Sequence, residues 1–395
     1  MVKSFRLLNY FLGFFALNCI LTTAYYAPFL RLIRMSVTVI IVGSFNLSTL
    51  IYKSLYLVNV QFQVEPSVQY MDALQSVYDL FQYYVDMWFV YKYGADVWLE
   101  YVNRYCYMDR LLGMIYYTDI KRTSARFFWF ILILWIMSSS YDFLVWGYSF
   151  GPIVPLYFLA TYVHTFIKLL TSAHLSLNIM HVEYRLRTIG DNIRMVYLYS
   201  ENQPLMSQEL LSYAWFCTQP KSSSKSIIEF FKAKNNVKWF RCYYSLLLEQ
   251  VKFINCMFGT RILLISLSLL IEMIRLINLT EKVIVGSQHT GLTFLPALGS
   301  LVKVVLCAVL LISLVWRSEQ AYDQRTRLMR LIDNLLIYKK IDESIIDEIK
   351  NFQYLIQARP VSFSMADFVR IDNSFLVSIA SAVVTYSIIL LQSVN

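Results

Sequence analysis

The sequence predicts an all-α membrane protein with seven transmembrane helices, its N-terminus inside the cell and its C-terminus outside. Three observations predict this. Apolar residues make up 57% of the chain and charged residues 15%. A soluble domain carries about 25% charged residues, so the polar groups here are too few to cover a water-exposed surface. Several apolar runs reach the roughly 20 residues that a helix needs to cross a bilayer. Finally, the basic residues gather in alternate gaps between the runs, the asymmetry that orients membrane proteins.

Residues 1–30 place Lys3 and Arg6 ahead of the apolar stretch LLNYFLGFFALNCILTTA, which resembles a cleaved leader. Cleavage would invert every later loop, against the charge pattern, so the stretch reads as an amphipathic helix on the cytoplasmic side. The first span, 35–57, has Lys53 as its one charge. The second, about 72–94, is aromatic and polar, with Asp72, Asp79, Asp86 and Lys92. Without it, the basic residues of 104–126 and 181–252 would fall on opposite faces of the membrane. Spans 127–147, 153–180, 257–279 and 293–316 follow, and the last, 374–393, carries no charge.

With the N-terminus inside, the inner segments 1–34, 95–126, 181–256 and 317–372 hold four, five, ten and nine basic residues, 28 of the 35. The outer loops 58–71, 148–152 and 280–292 hold only Lys282. The net charge of +9 is therefore a topology signal and not a nucleic-acid footprint. Asn278-Leu279-Thr280 is a sequon at the outer end of span 5, making Asn278 a candidate glycosylation site. Asn46-Leu47-Ser48 falls mid-membrane, where it stays unused. The six cysteines have no regular spacing, and no two histidines stand at i,i+3 or i,i+4. Neither a disulfide framework, a metal site nor a cofactor is expected.

Residues 31–316 read as a six-helix peripheral bundle interrupted by a long cytoplasmic segment, 181–256. The middle of that segment, with Pro204, Pro220 and the run Lys221 to Lys225, reads as a loop. Residues 317–372 form a cytoplasmic helical anchor region. Ile345, Ile349, Phe352 and Ile356 recur there at helical spacing, and that stripe has to be buried against helices of the same or a neighbouring subunit. Residues 373–395 are the last span.

On that span Thr385, Ile388, Ile389 and Gln392 share one helix face. In a helix that lined a pore, such a face would supply an apolar constriction that closes by dewetting and amide carbonyl dipoles for passing cations. The plainer reading has Gln392 hydrogen-bonding between helices, with Tyr386 packing at an interface. For ligand binding, Asp79 and Asp86, with Asp72, stand seven apart on span 2, with Tyr83 nearby. Intramembrane carboxylates face a cavity or a partner, so these residues line a pocket or pair internally with Lys or Tyr. Tyr141, Asp142 and Trp146 near the outer end of span 3, Tyr157 and Tyr162 on span 4, and Glu272 and Arg275 on span 5 form a polar and aromatic mixture suited to a small-molecule pocket. Glu272 and Arg275 are close enough in sequence to pair with each other. Aromatic residues also populate every bilayer interface, and both readings stay open.

The C-terminal stretch FSMADFVRIDNSFLVSIASAVVTYSIILLQ resembles the signature of insect gustatory receptors. It has an aromatic-rich run, Ile371-Asp372 before the last span, then Thr385-Tyr386, five apolar or small residues, and Gln392. Ser318-Glu319-Gln320-Ala321 and Phe258-Gly259 also resemble family positions. The family usually has Phe after the Gln; here Ser393 stands there, and the gate differs at that point. The resemblance implies a homotetramer or heterotetramer with related receptors around a central pore lined by the last span. It also implies a ligand pocket opening outward, cation flow without a G protein, and a place in the plasma membrane of sensory neurons. Short length and the absence of sugar-receptor features point to bitter or other non-sugar tastants. A G-protein-coupled receptor would put its N-terminus outside, against the charges. A transporter would show paired repeats with Gly- or Pro-broken helices, and no catalytic constellation suggests an enzyme.

Overall fold

The computed structural model describes residues 6–15, 17, 28–59, 66–93, 95–112, 117–198, 236–290, 295–338 and 343–393. They are almost wholly helical. The elements are α1 (Arg6–Phe14), α2 (Pro28–Asn59), α3 (Pro66–Lys92), α4 (Ala95–Leu112), α5 (Tyr117–Phe150), α6 (Leu159–Leu198), α7 (Asn236–Thr290), α8 (Leu295–Tyr338), α9 (Glu343–Ala358) and α10 (Asn373–Ser393). A 3-10 turn at Val154–Phe158 leads into α6, and a two-stranded hairpin, β1 (Ser364–Met365) and β2 (Val369–Arg370), precedes α10. The seven predicted spans fall on α2, α3, α5, α6, α7, α8 and α10. The centre of the long segment predicted as a loop, 199–235, lies outside the described residues.

Solvent explains which helix sits where. Among the described residues, α2, α5, α7 and α8 each hold a stretch long and apolar enough to cross a bilayer. The outward faces of α2, α5 and α8 display Ile40, Ile41, Phe130, Met137, Leu144, Val305 and Ile312. In contrast, α6 is the hub. It packs on α5, α7 and α8, and nearly every side chain from Ala160 to Ile193 is buried. Its buried His164, Lys168 and Arg185 are each answered by a polar side chain of another helix. Apolar side chains outward and polar groups paired within is the arrangement a hydrocarbon solvent selects.

Helix α1 docks against α6. Leu8 and Leu12 are buried, and the Phe11 ring meets Phe166 edge-on at 5.6 Å. Helix α4 occupies a stretch predicted only as an inner segment. Tyr101 stacks on Phe253 of α7 at 4.4 Å, and Asp109 grips the buried Arg185 of α6 through two hydrogen bonds of 2.8 and 3.0 Å. The apolar stripe of α9 is covered within the same chain: Ile349, Phe352 and Ile356 are buried, with Phe352 against Tyr244 of α7 at 6.0 Å. The hairpin pairs Ser364 with Arg370 and Met365 with Val369. The turn between the strands is three residues long, 366–368, and its first two, Ala366 and Asp367, have φ of 51° and 60°, the left-handed region that non-glycine residues seldom adopt.

Candidate functional site

The polar interior is built as a seam between α3 and α7. Asp72, Asp79 and Asp86 stand on one face of α3. Opposite them on α7, and running the other way, are Arg275, Ser268 and Arg261, also seven apart. Arg275 Nη1 bonds Asp72. Ser268 Oγ donates to Asp79 Oδ1 at 2.8 Å, and Arg261 Nε donates to Asp86 Oδ1 at 2.8 Å. From α6, Lys168 Nζ reaches Asp79 at 2.8 Å and Glu272 at 3.2 Å. Gln75 donates to both Asp79 and Ser268, at 2.8 and 2.9 Å. His164 of α6 bonds Asn46 of α2 at 2.8 Å. Buried ions persist only when paired and hydrogen-bonded, and here each cation meets its carboxylate directly.

A second cluster surrounds Asp142 of α5. Its Oδ2 accepts the Tyr162 hydroxyl from α6 and the Lys303 ammonium from α8, both at 2.5 Å. Its Oδ1 accepts Trp146 Nε1 at 3.2 Å. Lys303 also lies 4.8 Å from the Tyr162 ring centre, adding a cation–π contact. Gly299 lets α8 approach: a Cβ there would stand 3.3 Å from Asp142 Oδ1 and 3.5 Å from the Tyr141 ring. The Tyr141 hydroxyl is buried with no hydrogen-bond partner among the described residues. An ammonium, an indole and a phenol thus converge on one carboxylate, from three helices.

The sequence matches the profile of the 7tm chemosensory receptor family from residue 5 to residue 394. The chain belongs to that family. No curated protein matches the receptor's sequence. Among solved structures the receptor is similar to the insect olfactory receptor OR5 from Machilis hrabei, with a TM-score of 0.60 at 13% identity, covering 98% of this chain and 99% of that one. The same olfactory receptor in complex with eugenol gives 0.59 at 12% identity, again over 98% and 99%. The receptor is therefore a multi-pass membrane protein of chemosensory-receptor architecture, in a family of receptors and not of enzymes.

The receptor brings Asp142, Trp146 and Tyr162 together through hydrogen bonds, with Tyr141 beside them on α5. The remaining candidates sort differently. Glu272 bonds Lys168 and Arg275 bonds Asp72, partners on other helices, where the spacing in sequence also allowed the two to pair with each other. Asp79 and Asp86 are both buried and pair within the bundle, with Lys168 and Arg261. Tyr83, also fully buried, donates its hydroxyl to the Phe15 carbonyl at 3.2 Å. Tyr157 lies in the 3-10 turn that leads into α6. The candidate glycosylation residue Asn278 lies inside α7 and not in a loop. Helix α7 continues to Thr290, and Asn278 is a buried helix residue at 4% exposure.

Sequence reasoning missed Lys168, Lys303 and Arg261 as site residues, and with them Gln75 and Ser268. A signal was present: Lys168 and Lys303 are lone cations inside apolar runs, which demand a buried partner. The repeat of sevens at 261, 268 and 275 matches that of the aspartates.

Helix α10 is held on one side only. Phe375, Leu376, Ile379 and Val383 pack on the core. The other side leaves Ser374, Ser378, Ser381, Thr385, Ile388, Ile389 and Gln392 exposed. Tyr386 is half exposed, and Ser393 ends the helix.

Proposed function

We propose that this receptor is a subunit of a ligand-gated, non-selective cation channel of the gustatory type, in the plasma membrane of chemosensory neurons. Its N-terminus is cytosolic, and α10 lines a pore shared by four subunits, identical or related. The observation that carries this reading is the free face of α10. Ser374, Ser378, Ser381, Thr385, Ile388 and Gln392 follow one another at steps of four and three residues, which is one line along a helix. A hydroxyl and amide stripe is poorly matched to lipid; a water-filled conduit between subunits suits it. Ile388 would supply the dewetting constriction, and the Gln392 ring with Ser393 would supply the polar exit.

The ligand is a small-molecule tastant of bitter or other non-sugar kind, held at the Asp142 end of the bundle. That end faces outward in the orientation set by the basic residues. Supporting this, the solved olfactory receptor of the same fold has been captured with eugenol, a small ligand of the size such a cluster can orient. The test is electrical. Cells expressing the chain, alone or with related receptors, are challenged with bitter compounds while G-protein signalling is blocked. Compound-evoked cation current supports the reading; silence in every combination, with the protein at the surface, overturns it.

A further inference from the structure

The hairpin before α10 is seated with no slack on two helices. At Gly259 of α7 an added Cβ would stand 2.9 Å from the Ala366 nitrogen and 3.0 Å from the Ser364 oxygen. Both are backbone atoms, so only glycine lets the strand lie this close. One turn earlier, Asn255 donates to the Ser362 carbonyl at 3.0 Å and accepts the Ser364 N–H at 3.2 Å.

The second helix is α8. Its Tyr322 hydroxyl accepts the Phe363 N–H at 3.0 Å and donates towards the Ile371 carbonyl at 3.2 Å. Burial raises the affinity of this hydroxyl for its proton, so it keeps its donor. The guanidinium of Arg370 covers the Tyr322 ring at 4.2 Å. One turn before Tyr322, Glu319 accepts the N–H of Asn373, the first residue of α10, at 3.1 Å.

The same two helices carry the polar clusters at the other end. Ser268 and Glu272 lie 9 and 13 residues beyond Gly259 on α7, about 14 and 20 Å along the axis at the helical rise. Lys303 lies 16 residues from Glu319 on α8, about 24 Å away. Each is an unbroken helix, a rod that carries displacement from one end to the other. A strand pressed against backbone follows such a displacement, where a loose connection would absorb it. Helix α10 is in turn a lever of about 30 Å, pivoting where Glu319 and the hairpin hold its first turn. Each degree of tilt there moves the far end by about 0.5 Å over that length.

We propose that the hairpin from Phe363 to Ile371 is the transmission joint between the ligand end of α7 and α8 and the last helix, with Gly259, Asn255 and Tyr322 as its positioning residues. It rests on the channel reading above. Loosening the seat changes how α10 stands even when no ligand is present.

The test introduces Thr385→Cys on the exposed face of α10. It measures the rate at which a membrane-impermeant cationic methanethiosulfonate, applied outside, modifies that thiol, using the parent chain without Thr385→Cys as blank. Surface protein is quantified by biotinylation. Gly259→Ala, Asn255→Asp and Tyr322→Phe are each added to this background, the last as the gentlest change. Ser313→Ala, on α8 away from the hairpin, is the control. The expected result is a change in modification rate of about fivefold or more for the seat variants, the scale of a typical coupling between sites, and none for the control. Seat variants that reach the surface and react at the control rate overturn the joint. The two readings fail separately. Altered rates in a chain that never conducts would remove the channel and keep the joint, whereas unaltered rates beside normal currents would do the reverse.

Discussion

Asp86 and Arg261 are both fully buried, yet they meet through a single hydrogen bond, Nε to Oδ1 at 2.8 Å. Asp86 Oδ2 and Arg261 Nη1 have no partner among the described residues. The pair is as vulnerable as it is necessary, because removing either partner strands a charge in a low-dielectric interior. Asp86→Ala or Arg261→Met alone is expected to destabilise the bundle by about 3–5 kcal/mol. The double variant Asp86→Leu with Arg261→Met recovers much of that loss. Thermal melting of the detergent-purified receptor measures both; a single variant that melts with the parent refutes the role.

Lys168 holds two carboxylates, Asp79 and Glu272. Lys168→Met takes the shared cation from both and is expected to reduce surface receptor more than Glu272→Gln, which leaves Lys168 its bond to Asp79. Equal surface levels for the two variants would show that the lysine is not the centre of this group.

At the other cluster, Asp142→Asn and Lys303→Met are expected to shift the concentration for half-maximal response to a bitter agonist by about tenfold, near 1.4 kcal/mol, with surface expression intact. Trp146→Phe, which keeps an aromatic ring but loses the indole N–H to Asp142, is expected to shift it less. Loss of surface protein with unchanged sensitivity in the remainder would make the cluster purely structural.

Gln392→Glu places a ring of carboxylates at the end of the proposed pore and is expected to raise calcium relative to sodium permeability; Gln392→Ala is expected to lower conductance without that shift. Reversal potentials under bi-ionic conditions decide it. Identical permeability ratios in both variants remove Gln392 from the ion path.

Asn278 is buried within α7. Asn278→Gln therefore leaves electrophoretic mobility unchanged, and glycosidase treatment of the parent produces no shift that depends on this residue.

The span pattern was legible because lipid leaves a one-dimensional mark: apolar runs of bilayer length with cations between them. The face shared by Asp72, Asp79 and Asp86 was legible for the same local reason, helical periodicity. Their partners were not. Arg261 lies 175 residues from Asp86, and Arg275 lies 203 from Asp72, and no local rule selects among distant cations. Glu272 and Arg275 stand close enough in sequence to pair, but packing gave each a partner on another helix. The hairpin escaped because two-residue strands show no period, and its turn uses Ala366 and Asp367 where glycine or asparagine would have announced it. The helical placement of Asn278 was not legible, because a sequon beside an apolar run resembles a loop, while α7 continues to Thr290.

The repeat of sevens on both sides of the α3–α7 seam has a consequence for assembly. A zipper whose teeth recur at one interval can close one notch out of place: a slide of about 10 Å, seven residues at the helical rise, again faces acid with base over part of its length. Lys168 approaches from a third helix and meets one carboxylate from each side. It acts as a locating pin, so the order in which α3, α6 and α7 come together decides whether the newborn chain falls into the correct notch.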